Sequence, residues 1–532
     1  MGILYVGGDL NYKTIGAALA AATQGDVVVV REGVYHEALV VDKAVTIEAD
    51  GDVTLDGRYG AHLYGDGSYT TSKGRAVKGG QLPALTPGNA ARGQWVHTGT
   101  LNTSGYSALV RLTSPGAVVR GLTLRNAPGR FVVFESDNGT VADCRMDFCY
   151  GGAIRVSPGA TENRLTGCTI SRGSVKAHDP GAPGAGPASV ATTVIDAGVD
   201  TLIQSNTIFY CYGEGVSADK GSVGSIIRDN TVFGCAHWGI GINGATVPSL
   251  LNNIVYWPDN VHEAMGKSGP ADCCVIGAEQ ATADDPKKAA LVSAMIRGNL
   301  FVGGKRAFVL GGTGRPVQFL SSEISNNTII GRVVSAGVGA SALTWTCLPK
   351  AQHRETVVCN NVVIWQSGRD GVSYQAGGNV QWRENVYTSI PAKGMMGDAD
   401  VVGYADVLGT PYARIEGAFD PYALDMPDGV TTFDIDNYRP LPDGPARRGE
   451  GYDGALVPDE PVEPPDGPEP PERVPDWERM LSLLASAEVA VVGMAGLLHE
   501  IDGRMTALHE ARAGVAASLD ELTVLIESEK ER

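Results

Sequence analysis

Positive charge is scarce in this chain. Against 60 Asp and Glu there are 42 Lys and Arg in 532 residues, a net charge of −18. A protein that grips a phosphate backbone needs a basic face, so nucleic acid is excluded as a partner, and anionic membrane surfaces are disfavoured on the same ground. Long apolar runs are missing as well. Nowhere do the roughly 18 uninterrupted apolar residues of a membrane helix stand together, so no membrane insertion is expected. The start, Met1-Gly2-Ile3-Leu4-Tyr5, lacks the basic residues, apolar stretch and cleavage site of a secretion leader, and no signal peptide is expected. Paired C-x-x-C motifs and other metal-ligand spacings are absent too. Neither a metal nor a cofactor is expected.

The chain has glycine in plenty, 70 residues, and a phrase that it repeats. The phrase reads Gln204-Ser205-Asn206-Thr207-Ile208 and again Arg228-Asp229-Asn230-Thr231-Val232. Aligned on its asparagine, it gives a column of Leu122, Cys144, Cys168, Asn206, Asn230, Asn253, Asn299, Asn327, Asn361 and Asn385. The steps are 22, 24, 38, 24, 23, 46, 28, 34 and 24, a unit of about 23 with insertions. Two places further on, every residue from Leu124 and Met146 to Val363 and Tyr387 is apolar. Between the columns stand Thr123, Thr169, Thr207, Thr231 and Thr328. Alternation with period two is strand spacing, and a repeat this short leaves no room for an ordinary helix. Each unit can bury its apolar face only against its neighbours, and the strands stack about 4.8 Å apart. The spacing predicts an all-β parallel solenoid whose asparagines bond up and down the stack.

Most of the nine cysteines fit the same repeat, while Cys273-Cys274 lies in an insertion. Cys144 and Cys168 share the asparagine column, and Cys149, Cys211 and Cys235 stand five residues beyond it. Stacked core thiols are expected rather than disulfides.

The start of the chain carries a further signal. Asn11-Tyr12-Lys13-Thr14-Ile15, an Ala-rich helical stretch, Val27 to Val30, Gly33-Val34-Tyr35-His36-Glu37 and Val45-Thr46-Ile47 follow one another. This succession resembles the opening of right-handed β-helix proteins of the pectin-lyase superfamily, where a short helix caps the first coil. The asparagine column is similar to their side-chain ladders. The resemblance implies a right-handed parallel β-helix, with cap and first coils at 1–57 and the body at 108–393. Near the other end, Phe433 to Ala446 resembles the phrase that closes such helices, so 394–455 is expected to be the C-terminal cap region.

Four stretches break the repeat: an irregular insert at 58–107, and inserts at 172–200, 257–291 and 332–355. Inserts leaving one edge of a solenoid lie side by side and commonly build its binding face. Residues 456–475 are dominated by Pro, Glu and Asp, which makes an extended, self-repelling linker. From Met480 through Leu484, Ala487, Val491, Met494 and on to Ile526, apolar residues recur in steps of four and three, broken only by Arg512. Sustained heptads predict an α-helical coiled coil over 476–532, about 75 Å long over some fifty residues. Extra apolar residues (Leu481, Leu483, Ala490) widen its stripe, which favours a homotrimer over a dimer.

The superfamily's hydrolases resemble one another through N-T-D, D-D, G-H-G and R-I-K motifs. Here Asn206-Thr207 runs on to Ile208 and Asn230-Thr231 to Val232, and neither G-H-G nor R-I-K occurs. Their catalytic residues cannot be carried over, and no catalytic residue is assigned. A local cluster remains: Tyr212, Glu214, Asp219, His237 and Trp238. Glu214 and Trp238 both stand eight residues after their asparagine, on adjacent coils. An aromatic ring beside a carboxylate and an imidazole suits carbohydrate binding. Ordinary turn residues of the coils would look the same.

An acidic β-helix without a leader, followed by a stiff linker and an oligomerising coiled coil, resembles a trimeric phage tail spike or tail fibre. The expected role is a virion protein, assembled in the host cytoplasm, that binds host-surface polysaccharide and attaches to other tail or capsid proteins. Two alternatives stand beside it: a polysaccharide lyase, glycoside hydrolase or epimerase, and a purely structural virion fibre.

Overall fold

The computed structural model describes residues 2–57, 69–70, 76–77, 108–174 apart from 128 and 150, 192–277 apart from 260 and 266–269, and shorter pieces between 290 and 439. Contacts divide the chain into two units, Met1–Pro458 and Asp459–Arg532. The linker at 456–475 and the heptads lie outside the described residues.

The chain starts with a strand, Ile3–Val6, and a short helix, Ile15–Ala21. Thr14 caps the helix by accepting from the Ala17 N–H, and the buried side chains Ile15, Ala18 and Leu19 close the apolar end of the first coil. The Glu37 carboxylate accepts from the free N–H groups of Ile15 and Gly16 at 2.8 and 2.9 Å. Acceptors at a helix start satisfy its orphan donors, which accounts for the glutamate of the Gly33–Glu37 phrase. At the helix end Lys43 donates to the carbonyls of Leu19, Ala20 and Ala22.

The body is a parallel β-helix. Each coil gives two strands to a 24-stranded sheet and a third to an 11-stranded sheet that runs from Leu39–Val41 to Val372–Gln375. Register follows the repeat: Thr207 lies beside Thr231, Ile208 beside Val232 and Phe209 beside Phe233. Ile208, Val232 and Ile329 are all in the core, where period two puts them.

The two strands sharing the large sheet meet at a one-residue bend just before the ladder. Ser205, Asp229, Asn252, Asn326, Asn360 and Glu384 all hold φ between 54 and 58° there, the left-handed conformation that side chains with a Cβ adopt at a cost. The following asparagine holds the bend. From Asn230 to Asn385, each side-chain oxygen accepts twice at 2.9–3.1 Å, from the backbone N–H and the side-chain amide of the asparagine one coil earlier. The amide also donates to the backbone, as Asn206 does to the Leu165 carbonyl at 3.0 Å. The last acceptor is Asp400, which takes the Asn385 N–H at 2.7 Å. A carboxylate only accepts, so it ends the series without a donor left over.

The eight described cysteines are all buried and unbridged. Burial pushes the Cys149 thiol up to about 12. On the outside of the large sheet, Phe209, Phe233 and Tyr256 stack at 4.9 Å spacing. Phe433 continues the stack on Tyr256 at 4.1 Å, and Tyr438 packs on Phe433. Arg332, buried beside Asp259 at 2.7 Å, donates to the carbonyls of Trp257 and Ala413. The described pieces of 411–439 therefore lie along the flank of these coils. Among the described residues no helix is long and apolar enough to cross a membrane.

Candidate functional site

The site lies on the 11-stranded sheet, where the strands Val216–Asp219, Trp238–Asn243, Asp272–Gly277 and Arg306–Gly311 run side by side. Strict alternation fails at its edge. Cys273 and Cys274 are consecutive yet both in the core, and Gly239 and Ile240 beside them also face inward. A Cβ on Gly239 would come within 2.4 Å of Val255 Cγ1. Two successive inward residues turn the residue before them out, and that places Trp238 and its register partner Asp272 on the outer face.

Gly241 makes room for the indole. A Cβ there would meet Trp238 Cε3 at 2.7 Å, so the ring lies across that glycine. Val275 and Val309, neighbours in register, pack against the ring, and the His237 imidazole stacks on it with centroids 4.6 Å apart. Trp238 is left 5 % exposed. It is a wall of the site rather than an open platform.

Next to it Glu214, 5 % exposed, divides its oxygens. One meets His237 Nδ1 at 3.1 Å and the other accepts from Thr192 Oγ1 at 2.8 Å. This fixes the imidazole with Nε2 turned away from the carboxylate, and the His237 side chain remains 33 % exposed. On the other side Arg306 makes a two-pronged pair with Asp272, Nε at 2.9 Å and Nη2 at 2.6 Å. Those hydrogen bonds raise the arginine pKa, against the opposing pull of burial. His237, Trp238, Asp272, Lys305 and Arg306 border one cavity of about 460 Å³, floored by Val275 and Val309. That is within the usual range of small-ligand sites.

Of the five residues expected from the sequence, the structure brings Glu214, His237 and Trp238 together. Tyr212 is in the core, 3 % exposed, in the bend between the strands Thr207–Phe209 and Val216–Asp219, where it packs into the main apolar cluster. Asp219 sits further along its strand, where it accepts from Ser217 Oγ at 2.6 Å, and does not border the cavity. Sequence reasoning missed Asp272, Lys305 and Arg306. Arg306 stands seven residues after Asn299, one short of the eight that pair Glu214 with Trp238. Asp272 follows an insertion and carries no such offset.

A family model described as "Right handed beta helix region" matches residues 52–268. The chain matches no curated protein sequence. Among solved structures it is similar to XylC in complex with xylose, at 11 % identity and TM-score 0.46, over 76 % of this chain and 87 % of that one. It is also similar to the Dettilon tailspike protein, at 14 % identity and TM-score 0.46, over 77 % and 70 %. A third is the alginate lyase from Paenibacillus sp. str. FPU-7, at 12 % identity and TM-score 0.37, over 65 % and 94 %. Strand register and family match together define the fold: a right-handed parallel β-helix.

Proposed function

We propose that this chain is a virion-associated protein of the tail spike or tail fibre kind that binds host-surface polysaccharide in the cavity beside Trp238. The observation that carries the reading is the cavity itself. It combines an apolar floor and an indole wall with fixed polar groups at its rim, the arrangement that suits a sugar's apolar face and its hydroxyls. The heptads at 476–532 supply trimerisation in this reading, and the Pro-rich linker spaces the β-helix from them. One subsite of this size gives modest affinity. Three copies on a repetitive glycan raise it through effective concentration, by about a hundredfold or more.

The test is binding of the full chain to polysaccharide extracted from candidate host surfaces, followed by surface plasmon resonance. Trp238→Ala is expected to abolish the signal at concentrations where the unaltered chain saturates. Retained binding by a folded Trp238→Ala protein would move the receptor site elsewhere, with 58–107 next in line. Release of reducing ends or unsaturated sugars during the same incubation would favour the enzymatic alternative.

A further inference from the structure

We infer that Asp259 and Arg332 are positioning residues of the cavity, fastening its edge to the C-terminal segment 411–418. For ligand binding the inference rests on the polysaccharide reading, whereas the fastening itself stands apart from it. The chain leaves the strand Ile254–Tyr256 and returns as Asp272–Gly277, bringing Ala271 and Asp272 to the cavity. Between these strands, among the described residues, stand one short helix, Val261–Ala264, and no further strand. Backbone without a ladder of its own is held by what packs against it, and it opens more readily than the sheets do.

What packs against this connection is the C-terminal segment. Arg332, buried, pairs with Asp259 Oδ1 at 2.7 Å and donates to the carbonyls of Trp257 at 3.0 Å and Ala413 at 3.2 Å. Asp259 also exchanges hydrogen bonds with Ile415. Its N–H donates to the Ile415 carbonyl at 2.8 Å, and its Oδ2 accepts the Ile415 N–H at 3.1 Å. Val261 is wedged between two glycines: a Cβ on Gly417 would come within 2.4 Å of its Cγ2, and one on Gly234 within 3.3 Å of its Cγ1. Gly234 starts the bend that runs through Ala236 and His237, both bordering the cavity, to the strand Trp238–Asn243. At the other end of the connection the Ala271 carbonyl accepts from the Lys305 N–H at 2.9 Å, and Asp272 pairs with Arg306. The connection thus meets both rims of the cavity and the C-terminal segment. Arg332 binds connection and segment at once. Its loss frees both and leaves the largely buried Asp259 with the exposed Arg414, at 3.8 Å, in place of its close cation. A site is held only as firmly as the groups that support its lining.

The experiment is hydrogen–deuterium exchange with mass spectrometry on the full chain, unaltered and as Arg332→Gln and Asp259→Asn. Both variants are expected to exchange about tenfold faster over 411–418 and over the cavity edge, 270–277 and 303–308, while the strands between 140 and 166 keep their rate. Acceleration confined to 411–418 overturns the inference, because the segment would then only lie on the coils. Equal acceleration through the whole β-helix in both variants overturns it too, since the pair would then serve the fold at large. Affinity gives the second readout. For a polysaccharide that the unaltered chain binds, Arg332→Gln should weaken binding about fivefold, although Arg332 does not border the cavity. Unchanged affinity beside a faster-exchanging edge removes the positioning role. If no polysaccharide binds the unaltered chain, the binding reading fails, while the exchange pattern still decides the fastening.

Discussion

Single side chains decide much of what this fold tolerates. Asn299 sits mid-ladder, fully buried, and its oxygen accepts from both the N–H and the amide of Asn253. Asn299→Ala strands two buried donors on Asn253, and each unsatisfied buried group costs about 1–3 kcal/mol. We expect a loss of about 2–4 kcal/mol in urea unfolding. A loss under half a kilocalorie would mean that water replaces the rung. His353 is another such residue. It is fully buried, its Nδ1 accepts from the Phe319 N–H at 3.1 Å, and burial lowers its pKa to about 4. An imidazole held neutral contributes stability in full above its unfolded pKa of about 6.5 and loses it as pH falls toward 4. The melting temperature should therefore fall between about pH 6.5 and 4, by an amount worth up to about 3 kcal/mol. His353→Gln should flatten that slope, and an equal slope in the variant would remove His353 as its source.

At the scale of the element, the one-residue bends and the sheet edge govern. Ser205 and Glu384 hold φ of 55 and 58°, so a glycine at either place relieves strain that a Cβ imposes. Ser205→Gly is expected to be neutral or stabilising by up to about 1 kcal/mol in thermal unfolding. Gly167→Ala, at φ 63° with a Cβ 2.4 Å from Asp143 Oδ1, should destabilise. If both changes cost the same, the bend is not where the strain lies. The same scale explains what the sequence revealed and what it hid. Ladder, apolar column and buried thiols were legible because they repeat with one period, and the cap because Thr14 and Glu37 act locally. The cavity was only half legible. The paired inward residues Gly239-Ile240 and Cys273-Cys274 slip the alternation by one place, so counting by twos sends Asp272 to the wrong face. Tyr212 erred the other way: an aromatic next to a carboxylate looked like a ligand contact, yet its position faces the core.

At the scale of the molecule, the β-helix and the C-terminal heptads belong to different units, Met1–Pro458 and Asp459–Arg532. A chain ending after Leu456 keeps every residue of the asparagine ladder and the flank-bound Phe433 and Tyr438. It should melt as the full chain's β-helix does, while light scattering reports fewer chains per particle. If the shortened chain keeps the full-length oligomeric state, lateral β-helix contacts and not residues 477–526 hold the chains together. On a glycan surface, the same truncation should lower avidity by about a hundredfold while leaving the affinity of one site unchanged.

The rungs from Asn206 to Asn385 all donate in one direction and are received at the end by Asp400. Each rung needs only the one before and the one after, so nothing in the series records how many there are. The protein's length is set by its ends alone: a duplicated coil joins as one more identical link, and a deleted one closes without a gap. Such a molecule can change its reach by whole coils during evolution while its cap and its terminal carboxylate stay as they are.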